Sequence, residues 1–197
     1  MPVLWMMAGP NGAGKSTVLD RVNKSGLIVV SPDSIAHETG LPRVAAGREA
    51  LELRRELFQR GISHAIDTTF SGRGDLNALQ VAQCEGWETR LIYVGIRSPE
   101  LATQRVRARV RLGLHDVPDQ DILRRYHRSF SNLLSAIPNT AVTTLVDNEG
   151  KTPFVVAEFR YGEITFEASE RPAWSETIPG LGGESFQDPS HEWDELF

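Results

Sequence analysis

A glycine-rich loop near the N-terminus carries the residue types that hold a phosphate group. Residues 9–16 read GPNGAGKS and fill every fixed position of the pattern G-x-x-x-x-G-K-[ST]. Glycines let the main chain wrap an anion, and the helix that follows turns its positive end towards it. Lys15 supplies a cation for the β- and γ-phosphates of a nucleotide, and the Ser16 hydroxyl is a ligand for Mg²⁺. We therefore predict nucleotide binding by Gly9, Pro10, Asn11, Gly12, Ala13, Gly14, Lys15, Ser16 and Thr17.

Two aspartates follow the second and third predicted strands. The crevice of an open parallel sheet lies outside the carboxyl ends of its strands, so Asp33 and Asp67 are expected to face the phosphates. Asp33 is the candidate general base for an acceptor hydroxyl, and Asp67 is the candidate ligand for Mg²⁺ or substrate. The alternatives are a helix N-cap for Asp33, and for Asp67 a turn acid capped by Thr68 and Thr69.

An arginine-rich segment follows between residues 97 and 128, with eight arginines against four acids. Arg105 and Arg109 are four residues apart on a predicted helix and lie beside Val106 and Val110, which we expect to pack inward. The Arg105/Arg109 column is therefore predicted to face the crevice and to stabilise the transferred phosphoryl charge. The alternative is a solvated arginine-rich helix face, and for any single arginine it is the favoured one.

The residues after this helix have the composition of a mobile lid over the crevice. Residues 113–118 combine a flexible glycine entry with a rigid proline exit, and Arg124 and Arg125 follow on the next predicted helix. We place both arginines among the substrate-binding candidates. His115 in this turn is either a hydrogen-bond donor to the substrate or an ordinary loop histidine.

The positioning elements alternate between strand and helix along most of the chain. Apolar runs predict strands at residues 3–8, 27–30, 62–66, 89–96 and 143–146, and helical spacing predicts helices at 16–24, 44–59, 75–85, 98–112 and 119–137. This pattern predicts a three-layer α/β fold, a mainly parallel sheet with helices on both faces. The strand–loop–helix context also favours phosphate binding over an ordinary glycine turn at residues 9–16.

The last fifty residues differ from the alternating part. Two alternating runs about Tyr161-Gly162 predict a C-terminal β-hairpin within residues 151–170. The predicted organisation is a core at 1–150 with a lid around 105–125, the hairpin as an extension of the same domain, and a flexible acidic tail at 171–197.

Composition fits one globular domain. The chain has 197 residues, 40% of them hydrophobic and 24% charged, with one cysteine, Cys84, and a net charge of −5. The lone cysteine argues against a disulfide framework, and the absence of a long apolar run or a basic leader predicts a cytoplasmic protein with no membrane partner. The net acidity argues against nucleic acid as a partner, whereas the compact arginine segment suits a small anionic ligand.

Several ordered motifs together resemble the zeta-toxin-like P-loop kinases. They are AGPNGAGKST, SPDSIA, DTTFSGRGDL, LIYVGIRSPELATQRVRARV, GLHDVPDQDILRRYHRSFSNL and the late pair Asp147-Asn148, and they span about residues 6–148. Two positions depart from the family pattern. Leu114 stands where a second glycine usually precedes the histidine, and Asp67 stands where glutamate is frequent.

The resemblance implies transfer of the γ-phosphate of ATP, with Mg²⁺, to the sugar hydroxyl of UDP-N-acetylglucosamine. It implies that Asp33 is the base, that Asp67 and Thr68 contact the substrate, and that Arg105, Arg109 and the His115 turn form the lid. An antitoxin protein is the implied partner in the toxin branch, although family members without a toxin role exist.

Two alternatives stay open. One is a nucleoside, RNA-end or antibiotic kinase with the same loop and base. The other is a nucleotide-binding switch without an acceptor. Residues 23–26 begin the guanine-recognition pattern but lack its aspartate, which disfavours a guanine-specific switch.

Overall fold

The computed structural model describes residues 1–23, 26–111 and 117–183, which fold as alternating strands and helices. The strands are β1 (Val3–Ala8), β2 (Ile28–Val30), β3 (His64–Thr68), β4 (Glu88–Gly95), β5 (Val142–Asp147), β6 (Phe154–Arg160) and β7 (Glu163–Glu167). The helices are α1 (Lys15–Val22), α2 (Pro32–Thr39), α3 (Arg43–Gln59), α4 (Arg73–Cys84), α5 (Pro99–Val110) and α6 (Asp119–Ala136). Short 3-10 helices lie at Ile137–Asn139 and Ala173–Ser175.

The seven strands form one sheet in the order β2-β3-β1-β4-β5-β6-β7. Strands β1 to β5 are parallel, while β6 and β7 add antiparallel to the edge of β5. The prediction of a mainly parallel α/β sheet with a C-terminal hairpin is confirmed. Because the first five strands run in one direction, their carboxyl ends lie along one edge of the sheet, where the predicted crevice is expected.

The central strands are buried on both faces, which explains their continuous apolar runs. Along β1 the side chains alternate, so Met6 packs in one core cluster and Met7 in the other. The first cluster includes buried residues of α4 and α6, and the second includes buried residues of α1 and α5. These two layers hold the sheet rigid beneath its carboxyl edge.

Helix α2 was not predicted, because it lacks the apolar spacing on which the helix predictions depend. None of the eight described residues of α2 is fully buried. Its signals are local instead: Ser31 accepts a hydrogen bond from the Ser34 N–H, Pro32 occupies the first turn, and Gly40 ends the helix in a left-handed conformation. Strand β2 is accordingly short and leads directly into this helix.

The predicted flexible tail is wrong for the residues after 171 that the structure describes. Trp174 and Ile178 are buried in the cluster that also holds Tyr93 and Leu145. Residues 184–197 lie outside the described part of the chain. Within the described ranges, no helix combines the length and apolar character needed to cross a bilayer.

Candidate functional site

The phosphate loop joins β1 to α1 at the carboxyl edge of the sheet. Gly14 stands directly before α1 with a left-handed φ of 91°. Gly12 also has a positive φ, 78°, and a Cβ atom there would lie 2.5 Å from the carbonyl oxygen of Ala102 on α5. The loop therefore needs glycine at position 12 both for its backbone conformation and for its close approach to α5.

Lys15 lies at the centre of the charges that meet at this edge. Its Nζ donates a hydrogen bond of 2.9 Å to the Gly9 carbonyl oxygen. Burial lowers the pKa of Lys15, while the nearby carboxylates of Asp67 and Asp33 raise it and the cation of Arg109 lowers it. Three charged side chains from other parts of the sequence thus lie close enough to act on the charge of Lys15.

Asp67 lies near the end of β3 with half of its carboxylate engaged. Its Oδ2 accepts a hydrogen bond of 3.1 Å from the Ser31 hydroxyl. Its Oδ1 is buried and has no hydrogen-bond partner within the described part of the chain. A buried carboxylate oxygen of this kind is suited to a cation or an incoming hydroxyl group.

The residues at this edge fit a Mg²⁺ ion that is bound jointly by the nucleotide phosphates and the protein. Ser16, in the first turn of α1, is exposed and carries the hydroxyl predicted to bind it. Residues 1–23, 26–111 and 117–183 include no cluster of three or more His, Cys, Asp or Glu side chains able to hold a metal. Mg²⁺ usually takes one or two protein oxygens together with phosphate and water, and the Ser16 hydroxyl and the unpartnered Asp67 Oδ1 are oxygens of that kind.

Asp33 lies in the first turn of α2 with its carboxylate open to solvent. Its side chain is 63% exposed, and Nη2 of Arg43 lies 3.8 Å from its Oδ1. The N-cap alternative for Asp33 is wrong, because the hydroxyl of Ser31 caps this helix. The Asp33 carboxylate is therefore free to accept a hydrogen bond from a bound molecule.

The turn after β3 uses Thr68 for its own structure. The Thr68 hydroxyl donates to Asp75 Oδ2 at 2.8 Å and accepts from the Phe70 N–H at 3.0 Å. These bonds hold the buried Phe70 at a φ of 55°, which is unusual for a residue with a side chain. The expected substrate contact of Thr68 therefore competes with bonds inside the turn. Thr69 hydrogen-bonds to Ser71 at 2.9 Å.

Arg54 on α3 belongs to this region and was not predicted. Its Nη1 lies 3.9 Å from Asp75 Oδ1, and both side chains are largely buried. Burial lowers the pKa of Arg54, and the carboxylates of Asp75 and Asp67 raise it. Helical spacing could have indicated that Arg54 faces inward. It lies four residues after the buried Ala50 and three before the buried Leu57, on the inner face of the helix.

The two predicted arginines of α5 have different surroundings. Arg105 donates to the carbonyl oxygens of Asn148 at 3.2 Å, Glu149 at 3.3 Å and Gly12 at 3.4 Å, which differs from the predicted contact with transferred charge. A guanidinium committed to carbonyls holds the phosphate loop in place. Arg109 acts on the charge of Lys15, and its Nε is buried without a hydrogen-bond partner among the described residues.

The remaining lid candidates are not brought to Lys15 by any contact that the structure describes. Arg124 pairs with Asp121 at 2.7 Å, and Arg125 lies 3.8 Å from the same carboxylate. Both arginines therefore neutralise an acid of their own helix, and their predicted substrate role stays a prediction. His115 lies outside the described residues.

Comparison with known proteins places these features in a wider group. A family model described as the AAA domain matches residues 4–133. An uncharacterised protein of Haemophilus influenzae is 31% identical over 135 residues, which cover 62% of this chain and 96% of that protein. The match to the family model includes the phosphate loop.

Solved structures share the fold at low sequence identity. A chain of the AvrRxo1-ORF1:-ORF2 complex with ATP superposes with a TM-score of 0.61 at 17% identity, covering 84% of this chain and 60% of that one. A chain of the PezAT toxin–antitoxin system of Streptococcus pneumoniae gives 0.57 at 18% identity, covering 80% and 72%. The present chain thus spans about three fifths of the AvrRxo1 chain, and what the two share is the mainly parallel α/β fold.

Proposed function

The chain belongs to the AAA-domain family of P-loop proteins, and from that premise we propose that it is an ATP- and Mg²⁺-dependent phosphotransferase acting on an alcohol group. It carries the γ-phosphate of ATP to the hydroxyl of a small acceptor molecule. One observation carries the proposal above the others: close to Lys15 of the phosphate loop, Asp67 has a buried oxygen without a described partner and Asp33 presents an exposed carboxylate. A nucleotide switch needs the loop, but it does not need two carboxylates beside it.

In this proposal each charged group has a separate task. Lys15, the loop amides and Mg²⁺ held by Ser16 and Asp67 bind the β- and γ-phosphates. Asp33 aligns the acceptor hydroxyl and takes its proton, which its solvent-open position permits. Arg109 stabilises the negative charge of the phosphoryl group in flight, and its unpaired buried Nε supports that assignment.

For the acceptor we propose a nucleotide sugar, with UDP-N-acetylglucosamine first. The support is the ordered set of motifs shared with the zeta-toxin-like kinases. The likeness to a chain of a toxin–antitoxin system supports, in the same way, a protein partner of the antitoxin type. Asp67 is one methylene shorter than the glutamate frequent in that family, so the acceptor is the part of the proposal that most needs a direct test.

An acceptor panel with γ-labelled ATP tests the reaction. The purified chain is incubated with MgATP and, separately, UDP-N-acetylglucosamine, nucleosides, an RNA 5′-end and an aminoglycoside. We expect labelled product with the nucleotide sugar. Transfer to a nucleoside, RNA end or antibiotic would contradict the proposed acceptor but support the kinase activity. ATP hydrolysis that no acceptor changes would contradict the phosphotransferase and favour the switch.

Asp33→Asn tests the general base. We expect ATP affinity within about twofold of the parent and a fall in transfer of about 10²–10⁴-fold, the usual contribution of a general base. Lys15→Ala, by contrast, should weaken both ATP binding and transfer. Glu38→Gln, an exposed acid on the same helix α2, is the matched control. Full transfer by Asp33→Asn would exclude Asp33 as the base.

A further inference from the structure

The segment after the hairpin lies beyond the family match, and it contacts the turn that supports the phosphate loop. The family model ends at residue 133, whereas Trp174 and Ile178 are packed in the core. We name the described residues 171–183 the C-terminal strap. Gly182 donates its N–H to Glu167 Oε1 at 2.8 Å, and Arg171 pairs with the same carboxylate at 3.2 Å. Both ends of the strap are therefore tied to β7.

Trp174 connects the strap to the end of β5. Its indole N–H donates to Asp147 Oδ2 at 2.8 Å, and both residues are buried. The indole lies over Gly95 at the end of β4, where a Cβ atom would come within 2.2 Å of the ring. Any side chain at position 95 would displace the indole, so Gly95 leaves the space that Trp174 fills.

Asp147 connects Trp174 to the turn formed by the next two residues. Its second oxygen, Oδ1, accepts a hydrogen bond of 2.9 Å from the Glu149 N–H, which closes the turn after β5. Closing the turn aims the Asn148 side chain at the phosphate loop. Asn148 Nδ2 donates to the carbonyl oxygens of Ala13 at 3.3 Å and Gly14 at 3.2 Å.

The Asn148 side chain packs closely against the main chain of the phosphate loop. A Cβ atom on Gly14 would lie 2.1 Å from Asn148 Nδ2, so the amide sits against the residue that precedes Lys15. Arg105 reinforces the arrangement by joining the carbonyl oxygens of Asn148 and Gly12. A chain of hydrogen bonds therefore runs from the strap through the turn to the phosphate loop.

We propose that Trp174 is a positioning residue for nucleotide binding, acting through Asp147 and Asn148 on the main chain of residues 12–14. The strap thereby makes the preorganisation of the phosphate loop depend on the C-terminal part of the chain. This proposal takes its ligand, ATP, from the proposed function. The coupling between Trp174 and the phosphate loop does not depend on that function. Preorganised loops bind more tightly because less ordering is needed when the ligand arrives.

Trp174→Phe tests the coupling, since it keeps an aromatic ring but removes the N–H donor together with part of the indole, a loss of volume that the control must match. The matched control is Trp87→Phe, because Trp87 is equally buried but stacks on Phe58 away from this network. We expect the Kd for MgATP to rise about tenfold in Trp174→Phe and to stay within twofold in Trp87→Phe. Both are measured by calorimetric titration at a temperature where unfolding curves show each variant folded.

Asn148→Ala provides a second variant that leaves the strap untouched. It should raise the Kd by a similar factor, and the double variant should lose little more than either single one, because both act in one chain of contacts. Independent, multiplying effects would overturn the proposal. So would a Trp174→Phe protein whose Kd changes no more than that of Trp87→Phe.

Hydrogen exchange separates this proposal from the proposed function. In Trp174→Phe without any nucleotide, the amides of residues 11–16 should exchange at least about fivefold faster than in the parent, while Trp87→Phe leaves them unchanged. Unchanged exchange at these amides would overturn the coupling whether or not ATP binds. Faster exchange in a protein that does not bind ATP would support the coupling between Trp174 and the loop but contradict ATP as the ligand.

Discussion

Asp33 and Asp67 show how two like residues acquire different tasks from their surroundings. Asp33 is exposed on the first turn of α2 beside Arg43, whereas Asp67 has one oxygen on Ser31 and the other buried without a described partner. The exposed carboxylate is reachable by an acceptor hydroxyl. The buried one has spare capacity for a cation, as the proposed division between base and Mg²⁺ ligand requires.

Arg54 carries a prediction at the residue scale that concerns stability. Arg54→Met removes the cation beside Asp75, whose pKa is already raised by burial, and leaves that carboxylate without its ion pair. We expect the free energy of unfolding to fall by about 1–3 kcal/mol. Urea unfolding at neutral pH measures it. Arg55→Met, on the exposed face of the same helix, should change stability by less than about 0.5 kcal/mol.

Equal losses in the two variants would show that Arg54 contributes only its apolar stem. The comparison also bears on the site, because Asp67 acts on Arg54 as well as on Lys15. Because Arg54 lies close enough to Asp67 for their charges to interact, Arg54→Met should also lower transfer activity.

The phosphate loop was predictable from sequence because its residues are contiguous and each has its own chemical reason. Asn148 and Ser31 were not assigned their roles, since their partners, Gly14 and Asp67, are more than thirty residues away. Nothing local in the sequence says which of several polar side chains such a contact will use. Arg105 shows the same limit, because spacing grouped it with Arg109 but could not reveal that its donors face carbonyl oxygens.

At the scale of elements, α5 carries two arginines, Arg105 and Arg109, that have different contacts. The Arg105 guanidinium is bonded to the phosphate-loop region, and the Arg109 guanidinium is near Lys15. Arg109→Ala should lower kcat by about 100-fold or more with little change in the KM for ATP, the loss typical of one donor to transition-state charge. Arg105→Ala should instead raise the KM for ATP, because the loop loses support.

Steady-state kinetics with the acceptor saturating separates the two arginines. Arg111→Ala is the control, because Arg111 ends the same helix with an exposed side chain. A fall in kcat for Arg105→Ala together with a normal Arg109→Ala enzyme would reverse the assignment. Equal effects of all three substitutions would indicate that the arginines act only through the charge of the segment.

The elements differ in how well sequence predicted them, and the reason is burial. Strands β1 and β4 are largely buried and are centred on apolar runs, and their predicted bounds differ from the observed ones by at most one residue. Helix α2 buries none of its described residues, so hydrophobic spacing contained no information about it. The strap after β7 was predicted flexible because of its Pro, Gly and acidic residues, whereas Trp174, Ile178 and Leu181 pack it against the core.

At the scale of the whole molecule, the buried ring of His64 makes the stability of the core depend on pH. His64 begins β3, whereas Asp67 lies near the end of the same strand. The His64 ring is buried, its Nδ1 lies 2.8 Å from the Ile62 carbonyl oxygen, and its edge meets Trp87. Titration of His64 should therefore change the stability of the fold, because the protonated ring would be buried in the core.

The sign of that effect follows from the direction of the pKa shift. Burial lowers the pKa of His64 below 6.5, the Arg54 cation lowers it further, and the Ile62 carbonyl partly opposes both. The unfolded chain therefore takes up the proton at a higher pH than the folded one. The stability that neutral His64 contributes is complete above pH 6.5 and is lost as the pH falls towards the lower pKa of the folded state.

We expect the free energy of unfolding to fall on acidification below pH 6.5, by at most about 1.4 kcal/mol per pH unit for this single proton. His64→Gln should remove that slope while keeping an N–H for the Ile62 carbonyl. His37→Gln, on the exposed surface of α2, should keep it. Urea unfolding between pH 5 and 8 measures all three proteins, and taking differences between variants cancels the opposite contribution of Asp75, whose pKa is raised by burial. A slope that survives in His64→Gln would place the responsible proton elsewhere in the molecule.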